Sequence, residues 1–147
     1  MNIFTEQIVF EEADLPTWAE TIMQLHEDVL SKTNNVAYNV SYGNEQKDIE
    51  RAIYSAFCVS NCDERYSCAL NQIATFAARL AQDHIFTDGN KRTAAMIPPT
   101  MLNFCSGGLY VLRLSDDDLY KCIQQATTKQ ITELQFAEVL KNALTKV

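Results

Sequence analysis

The middle of the chain carries a stripe of small apolar residues at helical spacing. Between residues 66 and 83 the stripe consists of Leu70, Ile73, Ala74, Ala77, Leu80 and Ala81. Apolar residues three and four positions apart lie on one face of an α-helix, and alanine has the highest helix propensity. Because alanine side chains are short, other helices can approach this face closely. The pattern therefore predicts a helix over residues 66–83 that packs tightly against its neighbours.

Five further segments show helical patterns. Trp18, Ile22, Leu25 and Val29 form an apolar face that predicts a helix to about residue 31, opened by a capping box of Thr17 and Glu20. His26 lies beside that face and is interpreted as a packing or surface residue. The other helices are predicted over residues 47–57, 92–104, 115–127 and 132–144. Ser115 is the expected N-cap of the fourth of these five helices, and Thr132 and Gln135 form the expected capping box of the fifth.

Non-helical patterns are few. Alternation in residues 7–10 predicts an edge strand or an ordered arm, and Leu109 to Leu112 could form a short extended run. Pro98 and Pro99 interrupt the helix over residues 92–104, which is expected either to kink or to stop and restart there. The predicted fold is all-α: one domain over residues 1–147, with residues 1–13 as a possible N-terminal arm. It is a compact bundle of about six helices with at most a short flap hairpin.

Composition excludes several classes of partner. The chain has 147 residues, 47% of them apolar and 21% charged, as expected for one soluble domain with a single core. A net charge of −7 argues against nucleic-acid binding, because no basic footprint for a phosphodiester backbone exists. No stretch approaches the ~20 apolar residues of a membrane span. The five cysteines are odd in number and contain no Cys-x-x-Cys pair, which favours free thiols in a reducing cytoplasm.

A polar cluster stands between two of the predicted helices: His84-Ile85-Phe86-Thr87-Asp88-Gly89-Asn90-Lys91-Arg92. Its end coincides with a helix start, where free backbone N–H groups and the helix dipole favour an anion. His84 could accept a proton at neutral pH, and Asp88 could hold Mg²⁺ beside phosphates. This combination predicts phosphate chemistry.

The other residues of the cluster support the same prediction of phosphate chemistry. Gly89 lets the backbone approach a phosphate, and Asn90 offers an amide beside a free N–H. Lys91 and Arg92 place positive charge where a helix dipole disfavours it, which is poor for stability and favourable for an anion. Each feature also has a structural alternative. His84 could be a helix C-cap, Asp88 could be the N-cap of the next helix, and Phe86 with Ile85 could anchor the loop to the core.

The cluster resembles the signature of the Fic superfamily, and specifically its death-on-curing (Doc-like) toxin branch. The resemblance covers most of the chain from Leu25-His26-Glu27 onward. It implies a compact all-α fold, ATP with Mg²⁺ as the nucleotide, and a protein hydroxyl as the acceptor. It also implies His84 as the catalytic base, Asp88 as the magnesium ligand, and a nucleotide- and phosphate-binding set of Phe86, Gly89, Asn90, Lys91 and Arg92.

Three positions separate the branches of this superfamily. Nucleotidyl-transferring Fic enzymes usually carry glycine where Lys91 stands and a second arginine where Ala95 stands. This chain has neither residue, and in this respect it resembles Doc. The resemblance to Doc implies phosphorylation of a protein target, by analogy elongation factor Tu. Gly89 stands where Doc has alanine, which keeps nucleotidyl transfer (AMPylation) as an alternative. An inactive Fic-fold binding module is a second alternative, because Pro98-Pro99 could distort the helix that bears the anion site.

Two further expectations concern partners. Tyr38, Val40 and Tyr42 alternate before a Gly-Asn turn, which predicts either a hairpin or a plain surface loop. This stretch resembles the place of the family's target-docking flap. Ser41 to Glu45 and Ser60 to Glu64 have the spacing of the family's inhibitory helix, but Gln46 and Arg65 follow the glutamates. The resemblance therefore implies inhibition in trans by an antitoxin.

Overall fold

The computed structural model describes residues 1–32, 43–58 and 62–147. These residues form six α-helices and one antiparallel pair of short strands. The elements in chain order are α1 (Leu15–Lys32), α2 (Glu45–Ile53), α3 (Ala69–Gln82), α4 (Asn90–Cys105), β1 (Tyr110–Leu112), α5 (Asp116–Thr127), α6 (Glu133–Ala143) and β2 (Leu144–Lys146). The predicted all-α fold is confirmed. None of the helices in the described ranges combines the length and the apolar character that crossing a membrane requires.

The alanine-rich helix α3 lies at the centre of the fold. Helices α2, α4, α5 and α6 all pack against it. Arg79 is its only fully exposed side chain, and Ile73, Ala74 and Ala77 have no measurable exposure. The predicted close approach of neighbouring helices is therefore confirmed. The helix begins three residues later than predicted, because Glu64–Tyr66 first form a 3-10 turn capped by the Asp63 side chain.

The first residues of the chain form an ordered arm rather than a strand. Ile3 and Ile8 are buried in the core. The carboxamide of Gln72 in α3 accepts the Ile8 N–H at 2.7 Å and donates to the Ile8 carbonyl at 3.0 Å. The Ala69 N–H donates to Glu6 and the Leu70 N–H to Ile3, so the arm also supplies acceptors to the N-terminus of α3. The arm and α3 are therefore fixed to each other.

Two local predictions are corrected by the structure. The capping box of Thr17 and Glu20 does not form, because α1 already begins at Leu15 and a box of Glu11 and Asp14 precedes it. The last helix ends at Ala143 rather than at Leu144, and the following residues form β2. Strand β2 pairs with β1, with Val111 opposite Thr145. Local periodicity gave no sign of this pairing, because its partner is more than thirty residues away.

Helix α4 runs without interruption through Pro98 and Pro99. It does not stop and restart, which was one of the two expected outcomes. Each proline removes one backbone N–H donor from the helix. The Thr100 hydroxyl donates to the Met96 carbonyl at 2.8 Å, which adds a bond just beyond the prolines. Both prolines lie in the second half of the helix, eight or more residues after its start at Asn90.

The cysteines should differ strongly in reactivity. All five are free, Cys62 is exposed, and burial raises the pKa of Cys105 to about 11. Because the thiolate is the nucleophile, only about one Cys105 thiol in 1,000 is ionised at pH 8. We expect iodoacetamide to modify Cys62 well before Cys105, as followed by peptide mass spectrometry over time. In denaturant the two rates should converge; equal rates in the folded protein would contradict this assignment.

Candidate active site

The loop of the polar cluster joins α3 to α4. Helix α3 ends at Gln82, and the next residue but one, His84, has a left-handed backbone with φ of 49°. Such a residue commonly terminates a helix, although for a non-glycine residue this conformation costs about 1 kcal/mol or more. The turn places His84 at the exposed start of the loop. Burial raises the pKa of the neighbouring Asp83 carboxyl, and the charges of Arg79 and His84 partly offset this rise.

Asn90 holds the loop in shape. Its Oδ1 accepts the Phe86 N–H at 2.9 Å, and its Nδ2 donates to the Phe86 carbonyl at 2.8 Å. One side chain therefore satisfies both backbone groups of Phe86 and closes the loop over four residues. The Asn90 amide was predicted to shape an anion site. In the structure its side chain bonds to the backbone of the loop and thereby fixes the conformation of the residues from Phe86 to Asn90.

Gly89 opens helix α4. It is the N-cap residue, with φ of 77°, and no side chain caps the helix there. The first regular bond of the helix runs from the Thr93 N–H to the Gly89 carbonyl at 2.9 Å. The amides of Asn90, Lys91 and Arg92 precede that bond, and a helix leaves these groups without an intrahelical acceptor. They lie at the predicted anion-binding end of α4.

The two cations of the loop have different surroundings. Lys91 is half-buried and makes no ion pair within the described part of the chain. Arg92 lies 3.2 Å from Asp117 and 3.9 Å over the ring of Tyr120, both in α5. The pair of Arg92 and Asp117 is exposed, so it is weak. A phosphate carries more negative charge than a carboxylate, and Asp117 accepts a single bond from Arg92 through Oδ1, so a phosphate that accepts two bonds would be the stronger partner.

Asp88 is suited to a metal beside phosphates rather than to a closed metal site. Its side chain is exposed, and its Oδ1 accepts the Gly89 N–H at 2.8 Å. It does not cap α4, which removes the structural alternative. No group of three or more histidine, cysteine or acidic side chains is placed to hold a metal ion in residues 1–32, 43–58 and 62–147. A single carboxylate nevertheless fits Mg²⁺, which keeps several waters and takes other ligands from a nucleotide.

His26 contacts the loop from α1, which sequence reasoning missed. Its Nε2 lies 2.9 Å from the Asp88 carbonyl oxygen. Its ring stacks on Phe86, with the centroids 3.7 Å apart and the planes 6° from parallel. Phe86 is only 4% exposed, so its ring faces His26 and the core. Two signals were available: this chain has only two histidines, and the family resemblance begins at Leu25-His26-Glu27. Neither indicated that His26 contacts the loop.

A cleft of about 850 Å³ lies to one side of this loop. Asp83 and Ile85, the neighbours of His84, line one end of the cleft, together with Arg51 and Arg79. None of the residues from Phe86 to Arg92 lines it. The anion-binding end of α4 and this cleft are therefore separate features of the surface.

Thr93 carries a buried hydroxyl without a hydrogen-bond partner in the described residues. Burying such a group without a partner costs about 1–3 kcal/mol. Thr93→Val keeps the shape and removes the hydroxyl, so we expect the free energy of unfolding to rise by about 1 kcal/mol. The thermal midpoint should increase by roughly 3 °C. Thr100→Val, which removes a bonded hydroxyl, is the control and should not stabilise the fold. A lower midpoint for Thr93→Val would contradict this account.

The predicted site residues from His84 to Arg92 thus span the loop between α3 and α4 and the first turn of α4. Their other partners, His26, Asp117 and Tyr120, come from α1 and α5. Tyr38, Val40 and Tyr42, predicted as a target-docking flap, lie outside the described residues.

This arrangement defines a class of site. An exposed histidine begins the loop that leads to a helix whose free amides, lysine and nearby carboxylate suit a phosphate group. The chain belongs to the Fic/DOC family, whose model matches residues 14–102. Members of this family generally transfer phosphate or nucleotide groups to proteins. The match covers α1 to most of α4, and therefore includes the whole loop. No curated protein and no solved structure matches the chain.

Proposed function

We propose that this protein is a Doc-like toxin kinase of the cytoplasm. It transfers the γ-phosphoryl group of ATP to a serine or threonine hydroxyl of a protein, and thereby arrests translation. The observation that carries the proposal is the open N-terminus of α4, where Lys91 makes no ion pair within the described ranges. A phosphoryl group in transfer needs positioning and charge stabilisation more than covalent chemistry.

Each residue of the loop has a role in this reaction. His84 accepts the proton of the target hydroxyl as its oxygen bonds to the γ-phosphorus, and the bond to the β–γ bridging oxygen breaks to release ADP. Lys91, Arg92 and the first amides of α4 hold the phosphate oxygens. Asp88 would hold Mg²⁺, which supplies charge neutralisation of the phosphates when bound. Gly89 and Asn90 set the backbone conformation, and the Phe86 ring anchors the loop beside the nucleotide site.

The choice of kinase rests on Lys91 and Ala95. Position 95 of α4 carries a buried alanine, 2% exposed, which supplies no cation to the site. By the resemblance to Doc, the target is elongation factor Tu and an antitoxin inhibits the protein in trans. Neither nucleic acid nor membrane is a proposed partner. Gly89 favours nucleotidyl transfer as the second candidate function, since it matches the nucleotidyl-transferring members.

ATP labelled at either the α or the γ position distinguishes the candidates. Each is incubated with the protein, Mg²⁺ and either purified elongation factor Tu or a cell extract. The proposal expects transfer from the γ position only, and an intact mass that rises by one phosphoryl group. Transfer from the α position would instead establish nucleotidyl transfer. An absence of transfer from both, in the target and in the extract, would favour an inactive binding module.

A further inference from the structure

His26 ties the catalytic loop to a helix outside it. Asn90 already closes the loop upon itself, through the backbone of Phe86. His26 adds contacts from α1 to two residues on either side of Thr87: the ring of Phe86 and the carbonyl of Asp88. Its Cδ2 also lies 3.5 Å from the position that a Cβ on Gly89 would occupy. The His26 side chain therefore lies beside the loop from Phe86 to Gly89, the residue that opens α4.

The hydrogen-bond partner of His26 determines which of its ring nitrogens carries a proton. A carbonyl oxygen only accepts hydrogen bonds, so the bond at 2.9 Å requires a proton on Nε2. The ring can stack parallel to Phe86 in this form, because the imidazole stacks through its face and donates from its edge. Both contacts therefore hold at the same time. An apolar side chain at position 26 would preserve at most the stacking contact.

The contacted residues carry or adjoin the groups that the proposed reaction requires. The Asp88 carboxylate would hold Mg²⁺, and Gly89 sets the direction of the free amides of α4. A shift of about 1 Å in such groups can slow a reaction about a hundredfold. We infer that His26 is a positioning residue, which fixes the Phe86-to-Gly89 backbone so that Asp88 and the α4 amides are preorganised for phosphate. The inference rests on the proposed function, but its structural part does not require activity.

Two substitutions separate the contacts. His26→Phe keeps a ring for stacking and loses the donor. His26→Gln loses the ring, but its amide nitrogen stands the same number of bonds from the backbone as the imidazole Nε2. Gln24→Ala is the matched control, since Gln24 is exposed on the same helix and its side chain bonds to Asp28 and to no other described residue. His26→Ala removes both contacts.

Hydrogen exchange of the loop tests the structural part. In the full chain without nucleotide, we expect the hydrogen-bonded amides of Phe86, Gly89 and Thr93 to exchange about tenfold faster in His26→Ala and His26→Phe than in the wild type. His26→Gln should restore much of the protection, and Gln24→Ala should show none of the loss. Wild-type exchange in His26→Phe would overturn the inference, because stacking would then suffice. Unchanged exchange in His26→Ala would overturn it as well.

Phosphoryl transfer tests the positioning part. At saturating ATP, His26→Ala and His26→Phe should transfer γ-label about tenfold to a hundredfold more slowly than the wild type. Their KM for ATP should change less than kcat, and His26→Gln should recover part of the rate. If the transfer rates of all three variants fall only to the extent that their thermal midpoints fall, the inference is overturned. If the wild type transfers no label, the proposed function fails, whereas the exchange measurement still decides whether His26 orders the loop.

Discussion

His84→Asn is expected to reduce the transfer of label from ATP about 100-fold to 10,000-fold, because an amide cannot act as a general base. Asparagine is the best replacement for this position. His84 has φ of 49°, and asparagine adopts left-handed backbone more readily than alanine does. The fold should therefore survive, and the thermal midpoint should stay within a few degrees of the wild type. The measurement is the initial rate of labelling of the target, with equal amounts of folded protein.

Lys129→Asn provides a matched control. Lys129 is the other non-glycine residue with positive φ among the described residues, at 63°, in the turn between α5 and α6. It is remote from the loop in the chain and tests the same replacement in the same backbone conformation. Labelling by Lys129→Asn should equal that of the wild type. If His84→Asn retains more than a tenth of the wild-type rate, His84 is not the base.

Asn90→Ala is expected to lower the free energy of unfolding by about 2 kcal/mol. The substitution leaves the part-buried N–H and carbonyl of Phe86 without their partners. The thermal midpoint should fall by roughly 4–8 °C, and labelling should be lost even below that midpoint. Asn90→Asp should give an intermediate loss of stability, since a carboxylate still accepts from the Phe86 N–H but cannot donate to its carbonyl. Thermal unfolding and labelling rates check both variants.

Asn103→Ala is the control on the same helix. Asn103 is exposed, and its amide makes a long bond of 3.3 Å to the Tyr110 carbonyl. Water can replace that bond, so the change in stability should stay within about 0.5 kcal/mol. An Asn90→Ala variant as stable as Asn103→Ala would show that the loop does not depend on the two bonds to Phe86.

Local chemistry determined the parts of the fold that the sequence predicted well. The cap of Ser115 and the capping box of Thr132 and Gln135 form as expected, since each involves residues three apart. The capping box at the start of α1 was assigned to the wrong residues, because Glu11 and Asp14 form the box instead of Thr17 and Glu20. Strand β2 was missed for another reason: its only evidence is its pairing with β1, which no local pattern contains.

The candidate site likewise combines features that were predicted from neighbouring residues with contacts between distant residues that were not predicted. The loop residues were predicted together because they are neighbours in the chain, and their motif is specific. What holds them was not predicted. Asn90 reaches back to Phe86, where an amide beside a free N–H suggested contact with a ligand instead. His26 meets Asp88 across 62 positions of sequence, and Arg92 meets Asp117 across 25. Such pairings depend on helix packing, which a single sequence does not encode locally.

The attachment of the first residues to α3 has a consequence for synthesis. The backbone of Ile8 is paired with Gln72, 64 positions later, so the arm leaves the ribosome long before its partner exists. Strand β1, directly after α4, must likewise await β2 at residues 144–146. Contacts at such separations slow folding relative to a bundle of purely local helix pairs. The helices that hold the loop therefore reach their full set of contacts only when the last described residues have emerged.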